Sequence, residues 1–346
     1  MRELVIDSYP INDDNPCYVI AEIGHNHMGD LEVCKEMFRV AKECGANAVK
    51  LQKRNNKKLY TKALYNAPYE NENSYGKTYG EHREALEFGT VEYKYLKKWA
   101  ADVGITFFAT AFDRDSVDFL ARLGLPAIKI ASWDCKNIPL IGYAAAVGVP
   151  LIISTGGAEL SDIRRAHRVL QDNRFAFLHC VSSYPNQAHD LNLKSICSLR
   201  ECFPDTIIGF SNHYSGIVPM QSAYLLGARI IETHFTLNHA WKGTDHALSL
   251  EPNGLRQLID NLRIMHQSVG DGIKMVSDSE RAAIHKQGNA VHALRTINKG
   301  ETITERNVGL KAPANGLPPY EYENVLNRTA RKEISTAIDF DWSLIK

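Results

Sequence analysis

The sequence predicts an α/β protein, a (β/α)8 TIM barrel followed by a small, mainly β domain. Three observations lead there. Eight short runs rich in Val, Ile and Phe alternate with segments of helical period over about 270 residues. The turn after the first run, EIGHNHMGD, lacks the GxGxxG spacing that a doubly wound sheet places there. From residue 271 onward the alternation gives way to short β-type pieces separated by NKGE and ANGLPP.

In chain order the predicted strands are YVIAEIG (18–24), NAVKLQK (47–53), ITFFAT (105–110) and AIKIAS (127–132). They continue with PLIIST (150–155), FAFLHC (175–180), TIIGFS (206–211) and RIIETH (229–234). Among the intervening helices, DLEVCKEMFRVAKECG puts Leu31, Cys34, Met37, Phe38 and Ala41 on one face. Asp30, Asp115, Ser161 and Asn192 are the expected N-caps, and Gly45, Gly104, Gly124, Gly148 and Gly227 close helices. Residues 54–91 are too long for an ordinary βα connection and rich in Tyr and Asn, so they are expected to form part of a lid over the barrel mouth. The expected organisation is a catalytic barrel over 1–270, a linker with a helix over 271–287 and a small domain over 288–346.

The bulk properties exclude several classes. The chain has 346 residues, of which 44% are hydrophobic and 23% charged, as in soluble globular proteins. Its 40 basic and 40 acidic residues cancel, which gives no support for a nucleic-acid or membrane partner. The N-terminal stretch has no apolar signal core, and the longest apolar tract, PLIGYAAAVGVPLIIS, is broken by Pro and Gly and too short to span a bilayer. Seven cysteines without a CxxC pair argue against a disulfide framework and for a reducing, cytoplasmic setting.

A barrel of this kind builds its active site at the C-terminal ends of its strands. Those ends carry Glu22; Lys50 and Gln52; Thr110; Lys129 and Ser132; Ser154 and Thr155; His179 and Ser182; Ser211, Asn212 and His213; Glu232 and His234. Singly, each has a structural explanation, since a serine there caps a helix and a lysine snorkels to water. Lys50 and Lys129, however, sit inside apolar runs, where an ammonium without a counter-charge is costly. A protein carboxylate can serve one of them. Together with Thr110, Ser132 and Ser154, the two lysines suit a phosphate and a carboxylate on one small ligand. His213 and His234 end neighbouring strands and, with Glu22, suit a divalent metal such as Mn2+. An alternative starts from HNH (25–27), which with Lys129 on the fourth strand fits an amidohydrolase-type metal hydrolase, although Asp245 lies eleven residues beyond His234. A non-catalytic sugar- or anion-binding barrel is a third.

Eight motifs in order, AEIGHNHMGD, AVKLQ, KIAS, IISTG, LHCVSSYP, IGFSNH, GARIIETHFT and TDHALSLEP, resemble the sialic acid synthase (N-acetylneuraminate synthase) family over nearly the whole chain. The terminal segment is similar to that family's antifreeze-like (SAF) domain. The resemblance implies a transferase that condenses phosphoenolpyruvate with an open-chain, N-acetylmannosamine-like aldose to a nine-carbon 2-keto-3-deoxy acid and phosphate. It implies His213 and His234 as ligands of Mn2+, with Mg2+ or Co2+ as alternatives. It assigns Lys50, Thr110, Lys129, Ser132, Ser154, Ser182 and Ser211 to phosphoenolpyruvate, and Glu22, Gln52, Tyr184 and Asp245 to the sugar and the attacking water. It further implies a domain-swapped homodimer in which each terminal domain caps the partner's barrel. Three positions depart from the family pattern: Ser182 where Asn is usual, Asn212 in SNH where Asp is usual, and Ala312 in KAPANG where an Arg is usual. His82 and Arg83 of the long connection are expected to supply a replacement sugar contact.

Overall fold

A computed structural model describes residues 2–170 and 174–346. The chain divides into two compact units, one ending at Val269 and one beginning at Gly270. In the first, eight parallel strands close into a barrel: β1 (Tyr18–Gly24), β2 (Ala48–Lys53), β3 (Thr106–Ala111), β4 (Ile128–Ile130), β5 (Leu151–Ser154), β6 (Phe175–Cys180), β7 (Ile207–Asn212) and β8 (Ile230–His234). β8 closes the ring on β1, with His234 beside Glu22.

Alternation explains why the strands read as continuously apolar. Val19, Ala21, Val49, Leu51, Phe107 and Ile153 face outward into the helical layer. Tyr18, Ile20, Ala48, Phe108, Ile152, Leu178 and Ile230 face inward and fill the barrel. Both faces are buried, so both are apolar. The inward parity then continues up each strand to Glu22, Lys50, Thr110, Ser154, Ser211 and Glu232, where the filling turns from hydrocarbon to charge. One inward position must be empty: a Cβ on Gly209 would lie 2.5 Å from both the Ile230 carbonyl oxygen and Leu178 Cδ2.

The helix Leu31–Glu43 is capped by Asp30, which accepts from the amides of Glu32 and Val33, and buries Cys34, Met37, Phe38 and Ala41. Three expected caps are displaced. Asp113, extended at φ −155° and ψ 169°, caps the helix Arg114–Leu123, leaving Asp115 to pair with Lys58 at 2.5 Å. The helix Leu160–Leu170 already contains Ser161, and Asn192 takes a left-handed conformation (φ 40°) ahead of the helix Ser195–Cys202. In each case several short polar residues compete near one helix start, and backbone conformation selects among them. A hairpin, Leu4–Ile6 with Tyr9–Ile11, was not expected from the sequence; its Leu4, Ile6 and Ile11 join the barrel's interior core.

Residues 54–91 contain three short helices, Asn56–Leu59, Lys62–Tyr65 and Tyr79–Ala85. They are tied to the loop after β8: the Tyr75 hydroxyl donates to the Lys242 carbonyl at 2.5 Å, and the Gly243 amide donates to Asn73 Oδ1 at 3.0 Å. The segment is an ordered cover rather than a loose loop. The second unit holds an exposed helix, Asp278–Gln287, and an antiparallel pair, Ala290–Ala293 with Val308–Lys311. Val291, Ile297, Ile303, Val325, Ile334 and Phe340 give it a core of its own. Among the described residues no helix is long and apolar enough to cross a membrane.

Gly209→Ala should lower the free energy of unfolding by about 1–3 kcal/mol, the usual cost of overpacking. Urea unfolding checks this, and an unchanged midpoint would show that the neighbouring strands yield.

Candidate active site

Four charges occupy the top of the barrel's interior. Strand register places Glu22 beside Lys50, Gln52 beside Thr110, Thr110 beside Lys129, and Ser211 beside Glu232. Lys50 Nζ lies 2.6 Å from Glu22 Oε2, an ion pair poorly aligned for a hydrogen bond, and donates to Thr110 Oγ1 at 2.7 Å. Lys129 Nζ donates to Ser154 Oγ at 2.6 Å and lies 3.4 Å from Glu232 Oε1, which also accepts from the Ser211 hydroxyl at 3.1 Å. Both lysines therefore have protein counter-charges, where the sequence suggested one. Burial opposes ionisation of Glu232, but Lys129 and Lys50 outweigh it and hold its carboxyl down to about 2. Burial also lowers Lys129, partly offset by Glu232.

At the edge of this floor, β1 slips register between Glu22 and Gly24, and Gly24 turns left-handed at φ 54°. A Cβ there would stand 3.1 Å from Glu22 Oε1 and 3.2 Å from Gln52 Nε2, so the glycine makes room for the Gln52-to-Glu22 hydrogen bond of 2.7 Å. Across the cavity, a Cβ on Gly156 would collide with Ser182 Oγ and lie 2.8 Å from Ser132 Oγ. That bare backbone and the two hydroxyls form a small polar cradle, in which the Gly156 amide donates to Ser132 Oγ at 3.2 Å.

His213 and His234 stand with ring centroids 5.5 Å apart, and Tyr184 packs on His213 at 4.1 Å. His213 Nδ1 sits 3.0 Å from the Val181 carbonyl, which orients the ring and leaves Nε2 free for a ligand. His234 Nδ1 is buried with no hydrogen-bond partner, and Asp245 Oδ2 is 3.8 Å away. Burial lowers the His234 pKa, opposed by Asp245 and Glu22. Two imidazoles facing one space suit a divalent cation whose remaining positions are open. No group of three or more His, Cys, Asp or Glu converges on a metal position among the described residues, so water and substrate would complete the shell.

Of the thirteen residues that the family resemblance assigns, all but Ser182 line one cavity of about 530 Å³, and Ser182 adjoins it through the Gly156 cradle; two other strand-end candidates lie outside it, Thr155 donating to the Leu178 carbonyl at 3.0 Å and His179 Nε2 resting 2.8 Å from the Leu191 carbonyl. A larger cavity of about 740 Å³ includes Lys42 and Arg263, but Lys42 donates to the Gly104 carbonyl and Arg263 pairs with Asp260. Charge converges only in the smaller one. Among the departures, Asn212 lies outside that cavity and serves a turn, accepting from the Tyr214 amide at 3.2 Å and donating to its carbonyl at 2.8 Å. His82 is a buried lid residue whose Nδ1 accepts from the Tyr75 amide, whereas Arg83 reaches the cavity. Sequence reading gave Glu232 no role and passed over Arg54, although Lys50, Gln52 and Arg54 at spacing two share the inward parity that would have flagged it.

The HNH histidines do not form a metal pair. His27 stacks on Phe88 at 4.1 Å, accepts from the Gly29 amide, and is pushed by burial down to about 3. His25 lies between Arg54 and Arg83, a setting that repels cations. The hydrolase reading has no support here.

Comparison with known proteins agrees with this geometry. The NeuB family model matches residues 37–274, and the SAF domain model matches residues 288–337. The chain is 37% identical over 334 residues to N-acetylneuraminate-9-phosphate synthase of Homo sapiens, covering 96% of this chain and 92% of that protein. It is 33% identical over 348 residues to N,N'-diacetyllegionaminic acid synthase of Legionella pneumophila, covering 97% of each. The crystal structure of N-acetylneuraminic acid synthetase from Leptospira borgpetersenii in complex with citrate superposes with a TM-score of 0.72 at 33% identity, covering 82% of this chain and 95% of that one. Matched across barrel and terminal unit alike, the chain belongs to the NeuB family, with a SAF domain following the barrel.

Proposed function

We propose that this protein condenses phosphoenolpyruvate with an open-chain aldose to give a nonulosonic acid and inorganic phosphate. The observation that carries the reading is the cavity in which two buried lysines, serine hydroxyls and two imidazoles, each with an open ring nitrogen, converge. Lys50 and Lys129 attract the carboxylate and phosphate of phosphoenolpyruvate, while Thr110, Ser132, Ser154 and Ser182 donate to its oxygens, and Ser211 joins them by giving up its bond to Glu232. Held on several sides, the ligand presents one face of its enol carbon to the sugar aldehyde. Glu22, held by Gln52 and Lys50, accepts a proton from the water that adds to the phosphate-bearing carbon, next to the one that attacks the aldehyde. Tyr184, Asp245 and the cover formed by 54–91 orient the sugar and keep bulk water out.

His213 and His234 are the residues that would hold a divalent cation, Mn2+ first among the candidates. Bound there, the ion supplies Lewis acidity to the sugar's carbonyl oxygen. A homodimer in which each SAF domain caps the partner's barrel, and a cytoplasmic location, belong to the same proposal. The first is supported by the family resemblance, the second by seven cysteines that are all free.

Phosphate release should require phosphoenolpyruvate, an aldose and a divalent metal together, and chelation should abolish it. Release without an aldose, or cleavage of amides instead, would sink the reading.

Lys129→Met should raise the KM for phosphoenolpyruvate strongly. It should also destabilise the fold by about 3–5 kcal/mol, because Glu232 keeps a buried charge without its partner. Lys129→Met combined with Glu232→Gln should recover much of the stability and none of the affinity. If affinity returns with stability, Lys129 serves the fold alone.

His234→Ala should give a folded, metal-poor and nearly inactive protein, read from metal content, melting temperature and turnover. A variant that keeps metal and turnover but melts lower would assign His234 a structural role.

A further inference from the structure

The HNH stretch (25–27) holds no metal pair, yet its middle residue is among the most enclosed polar groups of the barrel. Asn26 lies just past the end of β1 and is 2% exposed. The turn that carries it is tightly bonded. The Asn26 amide donates to the Ile23 carbonyl at 2.8 Å, the Met28 amide to the His25 carbonyl at 2.9 Å, and the Asp30 amide to the His27 carbonyl at 2.8 Å. Met28 at φ 55° and Gly29 at φ 77° complete it. Its backbone is therefore a fixed point from which the Asn26 side chain can hold something else.

Both side-chain N–H groups of Asn26 reach the loop after β8. Nδ2 donates to the Phe235 carbonyl and to Ser249 Oγ, each at 2.9 Å. Ser249, 3% exposed, has one hydroxyl proton and passes it on, donating to the Asp245 carbonyl at 2.6 Å. Donors and acceptors thus run one way, from Asn26 through Ser249 to the backbone of Asp245. That last bond fixes the peptide after Asp245 and with it the direction of the carboxylate, whose Oδ2 lies 3.8 Å from His234 Nδ1. Asp245 needs such a hold. It stands eleven residues past His234, in a loop whose residues 238–240 are exposed. Tyr75 and Asn73 tie the tip of that loop to the cover, whereas the Asn26 link ties Asp245 to the barrel.

We propose that Asn26 is a positioning residue, which through Ser249 holds Asp245 beside His234 at the cavity. The proposal rests on the synthase reading, in which Asp245 orients the sugar. It gives the HNH motif a task that needs no metal on its imidazoles. His27, stacked on Phe88, and the turn bonds anchor the backbone, and Asn26 carries that anchorage across to the loop after β8. The chemistry requires an amide at this position. Asn26→Asp keeps the shape but removes both donors, and Ser249 then turns its proton to the new carboxylate and releases the Asp245 carbonyl. None of these bonds touches Lys50, Lys129 or the serines of the floor, so the link acts on the acceptor's side of the cavity alone. Outer partners that orient a working group cost about 10- to 100-fold in activity when lost.

The test measures 2-keto acid formed by the full chain from phosphoenolpyruvate and Mn2+, with N-acetylmannosamine or its 6-phosphate, whichever reacts faster. Ser249→Ala, Asn26→Asp and Asp245→Ala are compared with the two pairs that add Asp245→Ala to each of the others. Ser249→Ala and Asn26→Asp should each lower kcat about 10- to 100-fold and raise the KM for the aldose. The KM for phosphoenolpyruvate should stay within about twofold. On the Asp245→Ala background neither should lower kcat further, because the link has nothing left to hold. Losses that multiply in the pairs, or Ser249→Ala with full kcat and only a lower melting temperature, overturn the proposal. If Asn26→Asp does not fold, Ser249→Ala, which removes a single oxygen, carries the same comparison. If the unmodified chain makes no keto acid, the synthase reading falls and amide hydrogen exchange decides the link. Faster exchange over 243–249 in Ser249→Ala, with β8 unchanged, upholds it; unchanged exchange there sinks it as well.

Discussion

The structure depends on one electrostatic constraint: four ionised groups must share the low-dielectric interior of a closed barrel. Lys50, Glu22, Lys129 and Glu232 are each at least nine-tenths buried, and none is tolerable there alone. Parallel register is what makes them tolerable together, because it sets Glu22 opposite Lys50 and carries Lys129 and Glu232 inward to meet across the barrel. The slip at Gly24 and the bare backbone at Gly156 belong to the same arrangement, since each makes room for a polar side chain of a neighbouring element. A site with balanced charges is also poised for exchange.

How much of this was legible in the sequence follows from period. Strands within a residue or two of their observed bounds came from runs of Val, Ile and Phe, because a parallel barrel buries both faces of each strand. Most of the cavity residues came from the polar endings of those runs, while Tyr184 and Asp245 came only from the family resemblance. Missed were features that depend on contacts far along the chain. The hairpin Leu4–Ile6 with Tyr9–Ile11 is too short to signal itself, and its purpose appears only when Leu4, Ile6 and Ile11 pack into the barrel. Glu232 looked like one polar residue in a greasy run until Lys129 and Ser211 were beside it. The misplaced caps at Asp115, Ser161 and Asn192 reflect local competition that composition does not resolve.

The departures from the family pattern separate into kinds once the geometry is known. Asn212 points away from the cavity into a turn, and either Asn or Asp can accept from the Tyr214 amide, so this change leaves the chemistry alone. Ser182 faces Gly156 beside Ser132, where a side chain shorter than the usual Asn shapes the small polar cradle next to the cavity. Ala312 lies in the second unit and withdraws a cation from the family's usual set. The first change is confined to a turn, and the second sits beside the cavity.

The cover changes the meaning of those losses. Its residues 54–91 are ordered by bonds that cross the mouth, from Tyr75 to Lys242 and from Asn73 to Gly243. Yet the same segment holds Arg83 beside Arg54 around a histidine that can satisfy only one of them. A cover that served stability alone would have no reason to bring a second desolvated cation to that point, since a neutral residue at position 83 would relieve the strain. The mouth thus contrasts with the balanced floor below: the floor pairs its four charges with one another, whereas Arg54 and Arg83 rest on neutral groups and aromatic rings.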